Sequence, residues 1–187
     1  MGQIICGDKE MYIWVAIDVN EQVREIREKA ENYIKEQGLS SSTFTLPFHI
    51  SLKISFLIPD DKFEEAVSDI RAFYKTLKPF QVTVAGMEQA GPIIWITMKE
   101  SMELTDIHKR LDEMLFEKYG VIQHEFDKDF KFHTSVLMIY NEEEITKAFD
   151  TIKDTNIPDV LKAERFIIGS SVEGEAGTYR VIEEIEL

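Results

Sequence analysis

The chain has 187 residues and is 44% apolar, with 12 Phe, 6 Tyr and 2 Trp, enough for one core that hides roughly 70% of the unfolded surface. This excludes disorder for the bulk of the chain, and no run of about 18 apolar residues offers a membrane span. A formal charge of −14 also excludes a grip on long duplex nucleic acid through many phosphates, while a small anion in a locally basic pocket stays open.

The only cysteine, Cys6, cannot form an internal disulfide, which fits a reducing compartment. The opening Met1-Gly2-Gln3-Ile4-Ile5-Cys6 has neither the basic region nor the long apolar run of a secretory signal. It also lacks the Ser or Thr at position 6 that a lipidation start requires. The expectation is a cytoplasmic monomer with no membrane association.

Elements alternate along the chain without a linker. Tyr12 to Val19 reads as a buried strand. Asn20 is placed to cap a helix carrying Val23, Ile26, Ala30 and Ile34, with Gly38 at its stop. After the polar loop Ser40 to Thr45, Phe48 to Phe56 alternates strictly: Phe48, Ile50, Leu52, Ile54 and Phe56 face one way, His49, Ser51, Lys53 and Ser55 the other. A helix over Asp61 to Leu77 follows, ended by Pro79, then strands at Phe80 to Val84 and Ile93 to Met98 around Gly86 and Gly91-Pro92. Leu104, Ile107, Leu111 and Leu115 mark a third helix that stops at Gly120. Phe130 to Tyr140 reads as a strand, Ile145 to Ile152 as a helix, and Val160 to Ile168 and Thr178 to Ile185 as the last two strands.

The order β-α-β-α-β-β-α-β-α-β-β points to α+β or α/β layering with helices over mainly antiparallel sheets. Tyr12 to Phe56 and Ile93 to Tyr140 share one layout of strand, helix, loop and strand, which suggests an internal duplication.

Two of the four histidines sit in one repeated setting, Phe48-His49-Ile50-Ser51-Leu52 and Phe132-His133-Thr134-Ser135-Val136, 84 positions apart. Because side chains alternate along a strand, His49 shares a face with Ser51, and His133 with Ser135. Such pairs suit phosphodiester chemistry. A neutral imidazole takes a proton from water while a protonated one gives a proton to the departing oxygen. The hydroxyls donate to the phosphoryl oxygens as charge builds there. No cofactor or metal is needed for this. Ligation of a metal would ask for a third protein ligand, and no HExxH or CxxC pattern is present.

At these residues the chain resembles the two-histidine phosphoesterase superfamily, which includes 2′-5′ RNA ligase-like proteins and cyclic phosphodiesterases. His49-Ile50-Ser51-Leu52 and His133-Thr134-Ser135-Val136 match the family's two His-x-Thr/Ser-x motifs. Pro47 looks like the proline common before the family's histidine, where the second copy has Lys131. The stretch Ile167-Ile168-Gly169-Ser170-Ser171 is similar to the last lobe-crossing strand of members that cleave 2′-5′ oligoadenylate. The resemblance implies a bilobal α+β fold spanning 1–187, with pseudo-twofold duplicated β-α-β units, mainly antiparallel sheets and a central cleft holding one motif per lobe. It also implies His49 and His133 as catalytic groups.

Other residues are read from position. Ser51 and Ser135, with Lys53 on the same predicted face, are candidate phosphate contacts. Phe44, Tyr140 and Trp95 offer faces for a nucleobase. His108 and His124 read as surface residues. The functional expectation is a metal-independent phosphodiesterase acting on the 2′,3′-cyclic phosphate of an RNA end or small nucleotide. Alternatives are cleavage of 2′-5′ oligoadenylate or of cyclic di- or oligonucleotide signals, and a non-catalytic nucleotide-binding module. Hydrolysis by such a pair should follow a bell-shaped pH profile set by two pKa values near histidine's usual 6.5 or so.

Overall fold

The alternating and helical apolar patterns become eight strands and four α-helices in a computed structural model that describes residues 11–172 and 178–187. The Met1 to Cys6 segment, read above for targeting signals, lies outside the described residues. In chain order the elements are β1 (Met11–Asp18), α1 (Arg24–Gln37), β2 (His49–Ile58), α2 (Phe63–Tyr74), β3 (Phe80–Ala90) and β4 (Ile93–Met98). Then come α3 (Met102–Tyr119), β5 (His133–Met138), α4 (Glu142–Ile152), β6 (Val160–Ala163), β7 (Arg165–Val172) and β8 (Arg180–Glu186).

Each helix forms where its stripe and its ends agree. In α1, Ile26, Ala30, Tyr33 and Ile34 are buried, and Gly38 ends it in the left-handed conformation at φ 64°. In α3, Ser101 Oγ caps the start by accepting from the Leu104 N–H, and Leu104, Ile107, Leu111 and Leu115 point inward. Asn20 does not cap α1. Its Oδ1 instead accepts from Arg27 Nη1 at 2.8 Å and from the Phe48 N–H at 3.1 Å. Asn20 thereby ties the helix to the residue before His49.

Every pair of neighbouring strands is antiparallel, in the order β6-β3-β4-β5-β2-β1-β7-β8. The fold is therefore α+β. β1-α1-β2 and β4-α3-β5 occupy matching places on the two sides of a central seam, where β2 and β5 meet through one registered pair, Ile50 and Thr134. The segment expected as one strand from Val160 to Ile168 is two, broken at Glu164. β6 pairs with β3 and β7 with β1, six places apart in the sheet. Six spacings in a flat sheet would span about 29 Å, whereas two peptide steps reach only about 7 Å. The sheet must therefore curl until these strands approach each other.

Ile13, Val15, Ile17, Ile50, Leu52, Ile94, Ile96 and Val136 enter one core with the helices. The opposite face carries a smaller cluster of Trp14, Ala16 and Ile167 with Leu46, Tyr179 and Val181 packed on it. Among the described residues no helix is long and apolar enough to cross a membrane.

Candidate active site

The seam places the two motifs. With Ile50 opposite Thr134, antiparallel continuation puts His49 beside Ser135 and Ser51 beside His133. Ile50 and Thr134 are fully buried on the helical side, so the two histidines and two serines project to the other face. There all four line a single cleft of about 500 Å³, with Ser42, Thr43, Thr45, Leu46, Pro47, Met138, Tyr140 and Tyr179. The four side chains form a rectangle with the imidazoles on one diagonal, their Cα atoms about 8 Å apart by strand geometry.

The two rings are held alike. His49 Nδ1 lies 2.8 Å from the Pro47 carbonyl, and His133 Nδ1 lies 2.7 Å from the Lys131 carbonyl. A carbonyl only accepts, so each Nδ1 carries the hydrogen and each Nε2 is left for work in the cleft. The step from Pro47 to Lys131 leaves this anchor unchanged, because only the carbonyl is used. An indole backs each ring: Trp14 on His49 with centroids 5.1 Å apart, Trp95 on His133 at 4.1 Å.

Burial pushes both imidazoles below their usual pKa. For His49 the bond to Pro47 and the nearby Asp18 push back upward, while the charge of His133 adds to the lowering. For His133 the bond to Lys131 and the nearby Glu88 oppose the burial. The expectation of two ordinary midpoints is thus corrected downward. Asp18 sits opposite His49 across β1 and β2, anchored by the Asn20 N–H at 2.8 Å and by Arg165 at 3.4 Å.

Lys53 does not join this face. In the pairing of β1 with β2, Ala16 faces Ser51 but Val15 faces Lys53, so Leu52 is an extra residue. Such a bulge flips the alternation beyond it. Lys53 turns to the helical side, 3% exposed, where Nζ meets Asp112 at 2.5 Å and Asp127 at 2.8 Å. Phe44 is also corrected. The 3₁₀ turn Ser42–Thr45 directs it onto Phe48 and the core, beneath Arg27, and away from the cleft. Tyr140 lines the cleft and is 85% exposed. Trp95 lies behind His133 and is not part of the lining. His124 is exposed as expected, but His108 is 7% exposed and packs beside Phe130 and Phe132.

The structure adds Trp14, Thr43 and Tyr179 to the site. Trp14 carries a signal, since it stands near the start of β1 as Trp95 stands in β4, in the two matching units. Among the described residues no group of three or more His, Cys, Asp or Glu is placed to hold a metal.

The sequence profile of the 2′-5′ RNA ligase superfamily matches residues 15–174. No curated protein matches the chain. Among solved structures, the fold is similar to apo LigT of E. coli, at 15% identity over 95% of this chain and 98% of that one, with a TM-score of 0.57. It is also similar to TT0787 of Thermus thermophilus, at 16% identity over 94% and 97% of the two chains, with a TM-score of 0.59.

Proposed function

The chain belongs to the 2′-5′ RNA ligase superfamily, and from that premise we propose that it is a metal-independent phosphodiesterase hydrolysing the 2′,3′-cyclic phosphate of a small nucleotide or RNA end. One observation carries the reading: both imidazoles are pinned at Nδ1 by a carbonyl and lie on a diagonal beside two serine hydroxyls in one cleft. A phosphorus atom between the rings meets one Nε2 on each side. The neutral imidazole accepts the proton of the attacking water. The imidazolium gives its proton to the departing ribose oxygen, so a phosphomonoester leaves and the pair ends with its proton exchanged between rings. Ser51 and Ser135 donate to the non-bridging oxygens, which gain charge in the transition state. The pseudo-twofold arrangement makes the two ends of the site alike, and the bound orientation of the nucleotide decides which histidine acts as acid.

The size of the cleft, about 500 Å³, supports one nucleotide with its phosphate, as small-molecule sites of this order do. E. coli LigT, solved with 3′-AMP and with NADP+, supports a nucleotide as the ligand class. The test sets nucleoside 2′,3′-cyclic phosphates against 2′-5′ oligoadenylate and cyclic dinucleotides, with and without EDTA. The expected result is ring opening of the cyclic phosphates, unchanged by EDTA. No turnover of them, or activity lost on chelation and restored by zinc or manganese, would overturn the reading.

A further inference from the structure

Neighbouring strands are normally held at a fixed spacing by a run of ladder bonds, yet β2 and β5 share one registered pair. Backbone groups beyond it must find other partners, and they do so at matching positions. Three residues after His133, the Val136 carbonyl accepts from Thr43 Oγ1 at 3.2 Å. Five residues after it, the Met138 N–H donates to Ser41 Oγ at 3.1 Å. Three residues after His49, the Leu52 carbonyl accepts from His108 Nδ1 at 2.7 Å. Five residues after it, the Ile54 N–H donates to Asp127 Oδ1 at 3.3 Å.

In both cases the partners come from the segment that leads into the opposite motif. Ser41 and Thr43 precede β2 and hold β5. His108 and Asp127 precede β5 and hold β2. We propose that these two side-chain clamps, Ser41–Thr43 on β5 and His108–Asp127 on β2, are the positioning device that sets the separation of the two His–Ser pairs. The inference rests on the reading of those pairs as catalytic groups.

The clamps match in place but differ in chemistry. The first is made of neutral hydroxyls. The second belongs to a buried ionic group in which Lys53 joins Asp112 and Asp127, and Asp127 Oδ2 also accepts from the His124 N–H at 2.9 Å. His108 Nε2 lies 3.2 Å from the Asp127 carbonyl, joining the helix α3 to the 3₁₀ turn Glu125–Asp127. Beyond Ile50 the β5-facing edge of β2 is thus held by the other half, while its opposite edge keeps its pairing with β1 through the bulge to Ile58. Thr43 itself lines the cleft, whereas Ser41 and Asp127 stand outside it and act on the geometry between the pairs. A misplacement of about 1 Å at a reacting centre costs as much as 10²-fold in rate.

The test uses Ser41→Ala and Asp127→Asn in the full chain, neither residue being part of the cleft lining. The substrate is adenosine 2′,3′-cyclic phosphate, and ring nitrogen-15 resonances are recorded without it. The expected result is a fall in kcat of about tenfold for Ser41→Ala and more for Asp127→Asn, with KM within about twofold. The resonances of His133 should move in the first variant and those of His49 in the second. Folded variants with wild-type kcat and ring resonances, or a loss carried by KM alone, would overturn the proposal. Should Asp127→Asn not fold, Ser41→Ala decides by itself, since it removes one hydroxyl. If the wild type cleaves no phosphodiester, the ring resonances alone decide the positioning role, and the functional reading fails separately.

Discussion

Gly169 is the position where a single methyl should reach the site from outside it. It lies on β7 directly across from Trp14, and a Cβ placed there would overlap Cε2, Cζ2 and Nε1 of the indole. These are ring atoms, not the end of a flexible chain. The ring itself is 5% exposed, among Ala16, Ile167, Leu46, Tyr179 and Val181. Gly169→Ala must therefore push the indole from its seat. Overpacking of this kind typically costs about 1–3 kcal/mol, and the upper end applies because the overlap is with a rigid ring. For a chain of this size about 3 kcal/mol lowers the melting temperature by roughly 6–12 °C. The displaced indole no longer backs His49, so kcat/KM on a cyclic phosphate should fall about tenfold. Thermal melts and turnover are measured in the wild type and in a Trp14→Phe background. Phe lacks the fused ring that meets the methyl, so there Gly169→Ala should cost under about 1 kcal/mol, a coupling typical of residues in contact. A Gly169→Ala protein that melts with the wild type, or loses as much in the Trp14→Phe background, would refute this account of the packing.

Replacing His49 or His133 by Ala should lower turnover about 10²–10⁴-fold in a folded protein, and Ser51→Ala or Ser135→Ala about 10–10³-fold; a folded histidine variant with wild-type turnover would defeat the mechanism. The pH profile of kcat/KM reports the free enzyme, and burial holds both imidazoles below the usual value of about 6.5. The singly protonated pair is then most abundant on the acid side of about 6.5, and kcat/KM should fall as pH rises through neutrality; a maximum well above neutrality contradicts this. Stability should fall as pH drops from about 6.5, because the unfolded imidazoles take up protons before the folded ones do; a denaturation series across that window checks the sign. Lys53→Met strips the cation from Asp112 and Asp127, and should cost about 3–5 kcal/mol in denaturant unfolding with KM unchanged. A stable variant with a raised KM would return Lys53 to the phosphate.

The readable parts of this protein are those controlled by local period and by repetition. The alternation from Phe48 to Ser51, and its copy from Phe132 to Ser135, put each histidine on a face with its own serine without reference to any distant residue. The meeting of the two pairs, in contrast, depends on the pairing of Ile50 with Thr134. The reading fails at Lys53 because a bulge depends on how β1 pairs with β2, and a strand's own residues carry no mark of it. Phe44 has the chemistry of a cleft residue, but a short 3₁₀ turn decides where its ring goes. Val160 to Ile168 has strand character throughout, so only the sheet order shows that Glu164 divides it. His108 has charged neighbours in sequence, yet at helical spacing it falls on the inner stripe with Leu104, Leu111 and Leu115. That signal is present, and local composition obscures it.

The strand order also carries a consequence for how the chain acquires its shape as it is made. The half holding the second motif, β3 to β6, comes from one continuous stretch, Phe80 to Ala163. The half holding the first is assembled from both sides of that stretch, with Tyr12 of β1 paired to Ser171 of β7. Contacts so distant in sequence slow folding, and synthesis proceeds from the N-terminus. On a growing chain β5 therefore finds both its neighbours, β4 and β2, already made when it emerges. β1, made first and lying beside the strand of His49, keeps one edge unpaired until β7 has been synthesised.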